Sequence, residues 1–260
     1  MNQDQILTNA KLVLDDEVVH GSLVIKDGVI KALERGPVSL PGVIDCQGDI
    51  LMPGMIELHT DNMEKYFQPR PKVSWPGRQA ALAHDAQMAA SGITTVFDAV
   101  SIGDVDEQSM RHGALDEMVS SLAAINDNGM ARVDHRLHLR CEVCHPDTLA
   151  RFKSFMDSPL LGLVSLMDHS PGQRQFASLD AYRVYYQGKY GLDDASLEAF
   201  IEKQLANSAA YSSAHRRAIA ELCSERGLAL ASHDDATVAH VAESLEYGTR
   251  VAEFPTTREA

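Results

Sequence analysis

The sequence predicts an α/β fold: a (β/α)8-type barrel, incomplete with about six strands present, preceded by a small β-module over residues 1–50. Three observations predict it. From residue 50 onward, short apolar runs alternate with helical patterns, the signature of βα units around a parallel sheet. The runs are largely apolar, as suits strands buried on both faces. Polar residues collect where the runs end, and (β/α)8 barrels carry their sites at that end of the strands. An open doubly wound sheet fits the strand count equally well, but the placement of the polar residues favours the barrel.

The elements are taken in chain order. Residues 5–50 read as short strands. Runs 22–26 and 29–33 flank Asp27 and Gly28, a pair suited to the positive φ angles of a type I′ hairpin. Gly36, Pro37, Pro41 and Gly42 punctuate the stretch after the hairpin. Run 50–58 is the first barrel strand and ends in His59-Thr60-Asp61. A helix over 80–90 stops near Gly92, and 93–100 is a strand. Apolar residues from Met110 to Ile125 recur at helical spacing and predict a helix over 108–125. Strands are expected at 137–143, 161–167, 228–232 and 251–254, with helices at 146–156 and 237–247. A largely helical stretch fills 179–226 and stops at Gly227, a C-cap residue. The barrel domain thus covers 51–260.

The net charge of −14 gives no basic footprint for nucleic acid. The N-terminus has no basic start followed by an apolar run, and no apolar stretch approaches the roughly 20 residues that span a bilayer. Four cysteines are too sparse for a disulfide scaffold. The chain therefore reads as cytoplasmic, without nucleic-acid or membrane partners, and its assembly into a homo-oligomer stays open.

Four strand ends carry histidine or glutamate: His59, Glu142, His169 and His233. One would be unremarkable, but the repetition points to converging metal ligands. His59 and Asp61 are two apart and share a side of their strand. Imidazole and carboxylate donors suit zinc and related divalent ions. The expected ligand set is His59, Asp61, Glu142, His169 and His233, although Glu142 could face either side of its strand. Cys141 and Cys144 read as buried structural cysteines. His84 and Asp85 read mainly as helix residues, His135 and His138 as a polar strand edge, and His112, His215 and His240 as helix surface. No phosphate-binding glycine loop and no nucleophile elbow is present.

The segment 49–65, DILMPGMIELHTDNMEK, resembles the amidohydrolase superfamily, whose members mostly carry His-x-His where this chain has His59-Thr60-Asp61. The variant is similar to a narrower branch. So are Phe67-Gln68-Pro69-Arg70-Pro71, the GITTVFDA run from Gly92, the DHSPGQRQF run from Asp168 and the ASHDDAT run from Ala231. The resemblance spans essentially the whole chain. It implies hydrolysis of a ribosyl triphosphate to the 5-phosphate and pyrophosphate in phosphonate catabolism by the carbon–phosphorus lyase route, with one or two divalent ions, zinc foremost. Lys65, Arg70, Arg174 and Lys189 follow or lie near strand ends and could receive polyphosphate charge, as Arg does bidentately; a solvated surface role fits each equally. Superfamily members also carry a catalytic aspartate at the last barrel strand and return strands to the β-module. Both are expected beyond Ala260, so the chain reads as C-terminally truncated and the catalytic residue stays unassigned. Two alternatives stand beside this: another amidohydrolase reaction (on a cyclic amide, an N-acyl group or an amino base), or an inactive remnant.

Overall fold

The computed structural model describes residues 4–70, 73–103, 111–176 and 178–260, with the side chains of 111–113 excepted. The chain divides into two compact units, 1–55 and 56–260. In the first, β1 (Gln5–Val13), β2 (Val18–Lys26) and β3 (Val29–Arg35) form an antiparallel meander, and β4 (Ile44–Asp45) and β5 (Ile50–Leu51) pair in parallel with β1. The β2–β3 turn has φ +53° at Asp27 and +75° at Gly28, the two positive angles that the Asp-Gly pair predicts. Gly21 in β2 is required: a Cβ there would collide with the Glu34 carbonyl oxygen of β3.

The second unit holds β6 (Met55–Thr60), α1 (Asn62–Phe67), α2 (Gly77–Ala90), β7 (Ile93–Ile102), α3 (Arg111–Asp127), β8 (Asp134–Glu142), α4 (Thr148–Phe155) and β9 (Leu161–Met167). After a 3-10 turn at Arg174–Phe176 come α5 (Leu179–Tyr190), α6 (Asp194–Asn207), a π-helical segment at Ser208–Ser212, α7 (Ser213–Arg226), β10 (Ala229–His233), α8 (Val238–Glu246) and β11 (Val251–Glu253). The sheet order is β11-β10-β9-β8-β7-β6, and the pairings from β7 to β11 are parallel. Six strands with intervening helices form an incomplete (β/α)8-type barrel among the described residues. Among them, no helix is long and apolar enough to cross a membrane.

Most boundaries shift by a few residues from the sequence expectation, and two elements differ in kind. The run 50–58 is not one strand: Ile50–Leu51 joins the N-terminal sheet, and β6 starts only at Met55. Pro53, which lacks a backbone N–H, and Gly54 lie between them. The stretch 179–226 is broken at Gly191, which takes the left-handed conformation (φ +64°), and restarts where the Asp193 carboxylate caps Ser196 N. The expected helix at 108–125 is seen from Arg111 to Asp127, and 108–110 lie outside the described residues.

The core lies between sheet and helices. Val100 and Ile102 of β7 and Leu137, Leu139 and Cys141 of β8 pack against Leu115, Leu122 and Ile125 of α3 and Phe152 of α4. Because side chains alternate along a strand, the residues between these point the other way. On β8 those residues are His138, Arg140 and Glu142, and it is their face that carries the site.

Candidate metal centre

Three imidazoles at successive strand ends are each held by a carboxylate. His59, near the end of β6, donates from Nδ1 to Glu253 Oε1 at the end of β11 (3.0 Å). His169, just past β9, donates from Nδ1 to Glu142 Oε2 (2.5 Å), and its backbone N–H donates to Glu142 Oε1 (2.9 Å). His233, the last residue of β10, donates from Nδ1 to Asp234 Oδ2 (2.8 Å). With Nδ1 committed, each ring keeps Nε2 without a hydrogen bond: that of His59 lies 3.7 Å from Asp61 Oδ1, that of His169 lies 3.6 Å from Asp234 Oδ2, and that of His233 is buried without a partner. The His233 ring centre lies 5.6 Å from that of His59 and 6.0 Å from that of His169. A carboxylate behind each imidazole fixes tautomer and orientation, the arrangement that supports histidine metal ligands. Strand-end backbone geometry contributes: Asp234 and Phe254 both take left-handed φ angles (+58° and +52°) directly after β10 and β11.

The charges are set by this pairing. Burial favours the neutral ring of His59, but the nearby Asp61 carboxylate and the hydrogen bond to Glu253 outweigh it and raise its pKa to about 8. Burial likewise opposes charge on His169, yet Glu142 and Asp234 raise it to about 10. Burial would raise the carboxylates, but their imidazole partners hold Glu142, Asp234 and Glu253 below the usual range. His138 stands apart. Burial pushes it down to about 4, so it is a neutral ring, donating from Nδ1 to the Leu58 carbonyl (3.0 Å) and accepting at Nε2 from Ser165 Oγ (3.0 Å).

A cavity of about 410 Å³ opens over this cluster, lined by Glu142, His169, His233 and Asp234 with Asp61, Arg140 and Lys189. Phe176, Tyr185 and Tyr186 form an aromatic wall, and Lys189 Nζ lies 5.0–5.8 Å from the ring centres of Tyr185, Tyr186 and Tyr190. Gly103 closes another side at φ +80°, where a Cβ would collide with Thr148 Oγ1. Asp61 is half exposed and accepts from Arg140 Nη1 (2.7 Å).

Two polar systems lie outside the cavity lining. In the first, Asp98 of β7 accepts from His84 Nε2 (2.6 Å) and His135 Nδ1 (2.7 Å), all three fully buried. Asp85 faces His135 Nε2 at 3.4 Å and is held by Arg132. This cluster sits on the face of the sheet that packs against α2 and α3. In the second, Arg174 is buried between Asp235 and Glu243, and Arg216 joins Glu243 to Asp168.

The structure therefore brings His59, Glu142, His169 and His233 together, with Glu142 engaged to His169. It places Asp61 against Arg140, and its carboxylate is not among the converging donor groups. Lys189 lines the cavity. Lys65 does not: helix α1 carries it to a separate depression with Gln68 and Met118. Arg70 is exposed and also outside the lining. Arg174 turns inward, its guanidinium committed to Asp235 and Glu243. His135 and His138 are wholly buried rather than a polar edge, and His215 is buried, donating from Nδ1 to the Val143 carbonyl (3.0 Å). The side chain of His112 lies outside the described residues. Sequence reasoning missed Glu253, His138 and Arg140. Glu253 had a signal, since it stands at the end of the 251–253 strand.

The donor set fits a divalent ion. His233 Nε2 and Glu253 Oε2 are buried without a hydrogen-bond partner, whereas such atoms are nearly always paired in folded proteins. Imidazole and carboxylate are the donors of zinc-type sites.

A parallel βα sheet whose strand ends bring carboxylate-braced imidazoles together is the arrangement of a metal-dependent hydrolase. No family model matches the chain. It is 53% identical over 255 residues to the alpha-D-ribose 1-methylphosphonate 5-triphosphate diphosphatase of Escherichia coli, a match covering 98% of this chain and 68% of that protein. The chain belongs to the family of that diphosphatase. It is also 30% identical over 94 residues to a dihydroorotase of Thermococcus kodakarensis, covering 36% of this chain and 21% of that one. Among solved structures, a D-hydantoinase crystal structure aligns at a TM-score of 0.48 with 17% identity, over 96% of this chain and 57% of the hydantoinase chain.

Proposed function

We propose that the chain forms the metal-binding part of a hydrolase that cleaves alpha-D-ribose 1-methylphosphonate 5-triphosphate to the 5-phosphate and pyrophosphate. The observation that carries this reading is the trio of neighbouring imidazoles, each braced at Nδ1 by its own carboxylate, with His169 and His233 lining the cavity. The relative's named substrate supplies the class of bond. His59, His169 and His233 would hold a divalent ion, zinc foremost, with Glu253 as a carboxylate donor and Glu142 and Asp234 as braces. When bound, such an ion supplies Lewis acidity toward a phosphoryl oxygen and makes water a better nucleophile. The chain's own residues do the rest. Lys189 receives phosphate charge at the cavity wall, and Tyr185, Tyr186 and Phe176 exclude bulk water around the anhydride. The small-molecule substrate is the expected partner, and a cytoplasmic setting suits it.

The test is direct. The chain is incubated with zinc and the ribosyl triphosphate, and pyrophosphate is measured. Release of orthophosphate alone, or no product from the full-length protein, sinks the reading. Metal affinity also carries a pH signature. A protonated imidazole cannot ligate, and His59 and His169 titrate at about 8 and about 10 without the ion. Ion binding must then release protons, so zinc affinity is expected to rise between about pH 6 and pH 8 by about tenfold or more per pH unit. Isothermal titration in two buffers of different ionisation enthalpy reads the released protons; a flat profile contradicts the ligand set.

A further inference from the structure

We infer that Arg140 is the phosphate-binding side chain of the cavity and that Asp61 is its positioning residue rather than a metal ligand. The inference rests on the reading of the cavity as a phosphoanhydride site. Arg140 stands two residues before Glu142 on the cavity face of β8, and its side chain is 13% exposed. One of its donors is used: Nη1 reaches Asp61 Oδ1 at 2.7 Å. Its Nε is buried and has no partner, although buried N–H groups are nearly always paired. The guanidinium is a rigid fork of five donors suited to bidentate contact with phosphoryl oxygens, and one acceptor cannot satisfy it.

Asp61 fits the positioning role. It is half exposed, it lies 3.7 Å from His59 Nε2, and its carboxylate is turned to the guanidinium. His59 meanwhile has its own buried carboxylate in Glu253. The other cavity carboxylates, Glu142 and Asp234, are each held by an imidazole. A polyanion entering the cavity therefore meets Arg140 and Lys189 as its charged donors, while Glu142 and Asp234 are engaged by their imidazoles. The ligand class is a di- or triphosphate chain, in inorganic form or as an ester.

The test uses the full chain with zinc held constant and inorganic tripolyphosphate as the probe, followed by calorimetry. Arg140→Gln is expected to weaken tripolyphosphate binding about tenfold to a hundredfold, the span of a charge-assisted hydrogen bond. Arg140→Lys restores only part, because a point charge replaces a fork. The isosteric Asp61→Asn weakens binding less, and zinc content by mass spectrometry stays at the wild-type value. Asp61→Asn keeps the shape of the site should the Arg140 variants unfold in thermal melts. Loss of zinc from Asp61→Asn, or wild-type tripolyphosphate affinity in a folded Arg140→Gln, overturns the inference. Binding of tripolyphosphate through Arg140, with no pyrophosphate released from the ribosyl triphosphate by the full-length protein, sinks the proposed function and leaves this inference standing.

Discussion

Replacing His233 with alanine is expected to lower pyrophosphate release by about 10³-fold or more, the several kcal/mol that a metal ion contributes to charge stabilisation. The variant should also lose most of its affinity for a divalent ion while keeping its secondary structure. The reason lies in the position of the ring. His233 is the last residue of β10, and its centre lies within 5.6–6.0 Å of both His59 and His169. Its Nε2 is buried and unpartnered, so the substitution removes a free metal donor along with the Nδ1 bond to Asp234. Its brace offers a graded control. Asp234→Asn leaves the imidazole in place and removes only the charge behind it, with an expected cost of about 10–100-fold in metal affinity. Full activity in a folded His233→Ala variant would remove the ligand set from consideration.

The second large effect concerns stability. Arg174→Met is expected to cost about 3–5 kcal/mol, read from urea midpoints, because it strands the Asp235 carboxylate in the interior. Both side chains are nearly inaccessible, at 3% and 4% exposed. Asp235 keeps only Ser244 Oγ as a donor from the side-chain network, which cannot balance a charge. Substituting Asp235 by Asn in the same variant should recover part of the loss. A substrate-binding role predicts the opposite pattern: KM rises while the urea midpoint stays put. A midpoint shift equivalent to under about 1 kcal/mol would argue against the buried pair as a structural element.

These two residues show what was legible in the sequence. The barrel class was readable because continuous apolar strands, helix caps and strand-end polar residues are local signals. His59, Glu142, His169 and His233 were visible together because each stands at the end of its strand. Arg174 comes after a strand too, but the turn after β9 aims it inward, and turn direction depends on the packing around it. Lys65 comes after β6 in sequence, yet helix α1 carries it off. Glu253 was passed over because the strand was expected to run to Phe254, whereas β11 stops at Glu253 and puts that carboxylate at its end. His138 and Arg140 looked like one polar edge together with His135, since alternation along β8 shows that two faces differ without saying that both are covered. Which face is covered is a tertiary property.

That alternation has a further consequence for how this protein can change over time. On β8, His135 serves the buried Asp98 cluster and Leu137, Leu139 and Cys141 serve the apolar core, while His138, Arg140 and Glu142 face the opposite way. Structure and chemistry are thus written on alternate letters of a single strand. Point changes on the even-numbered letters can retune the cavity while the packing layer stays intact, so new specificities are reachable one step at a time. A single inserted or deleted residue exchanges the two alphabets, which makes this strand open to substitution and closed to changes in length.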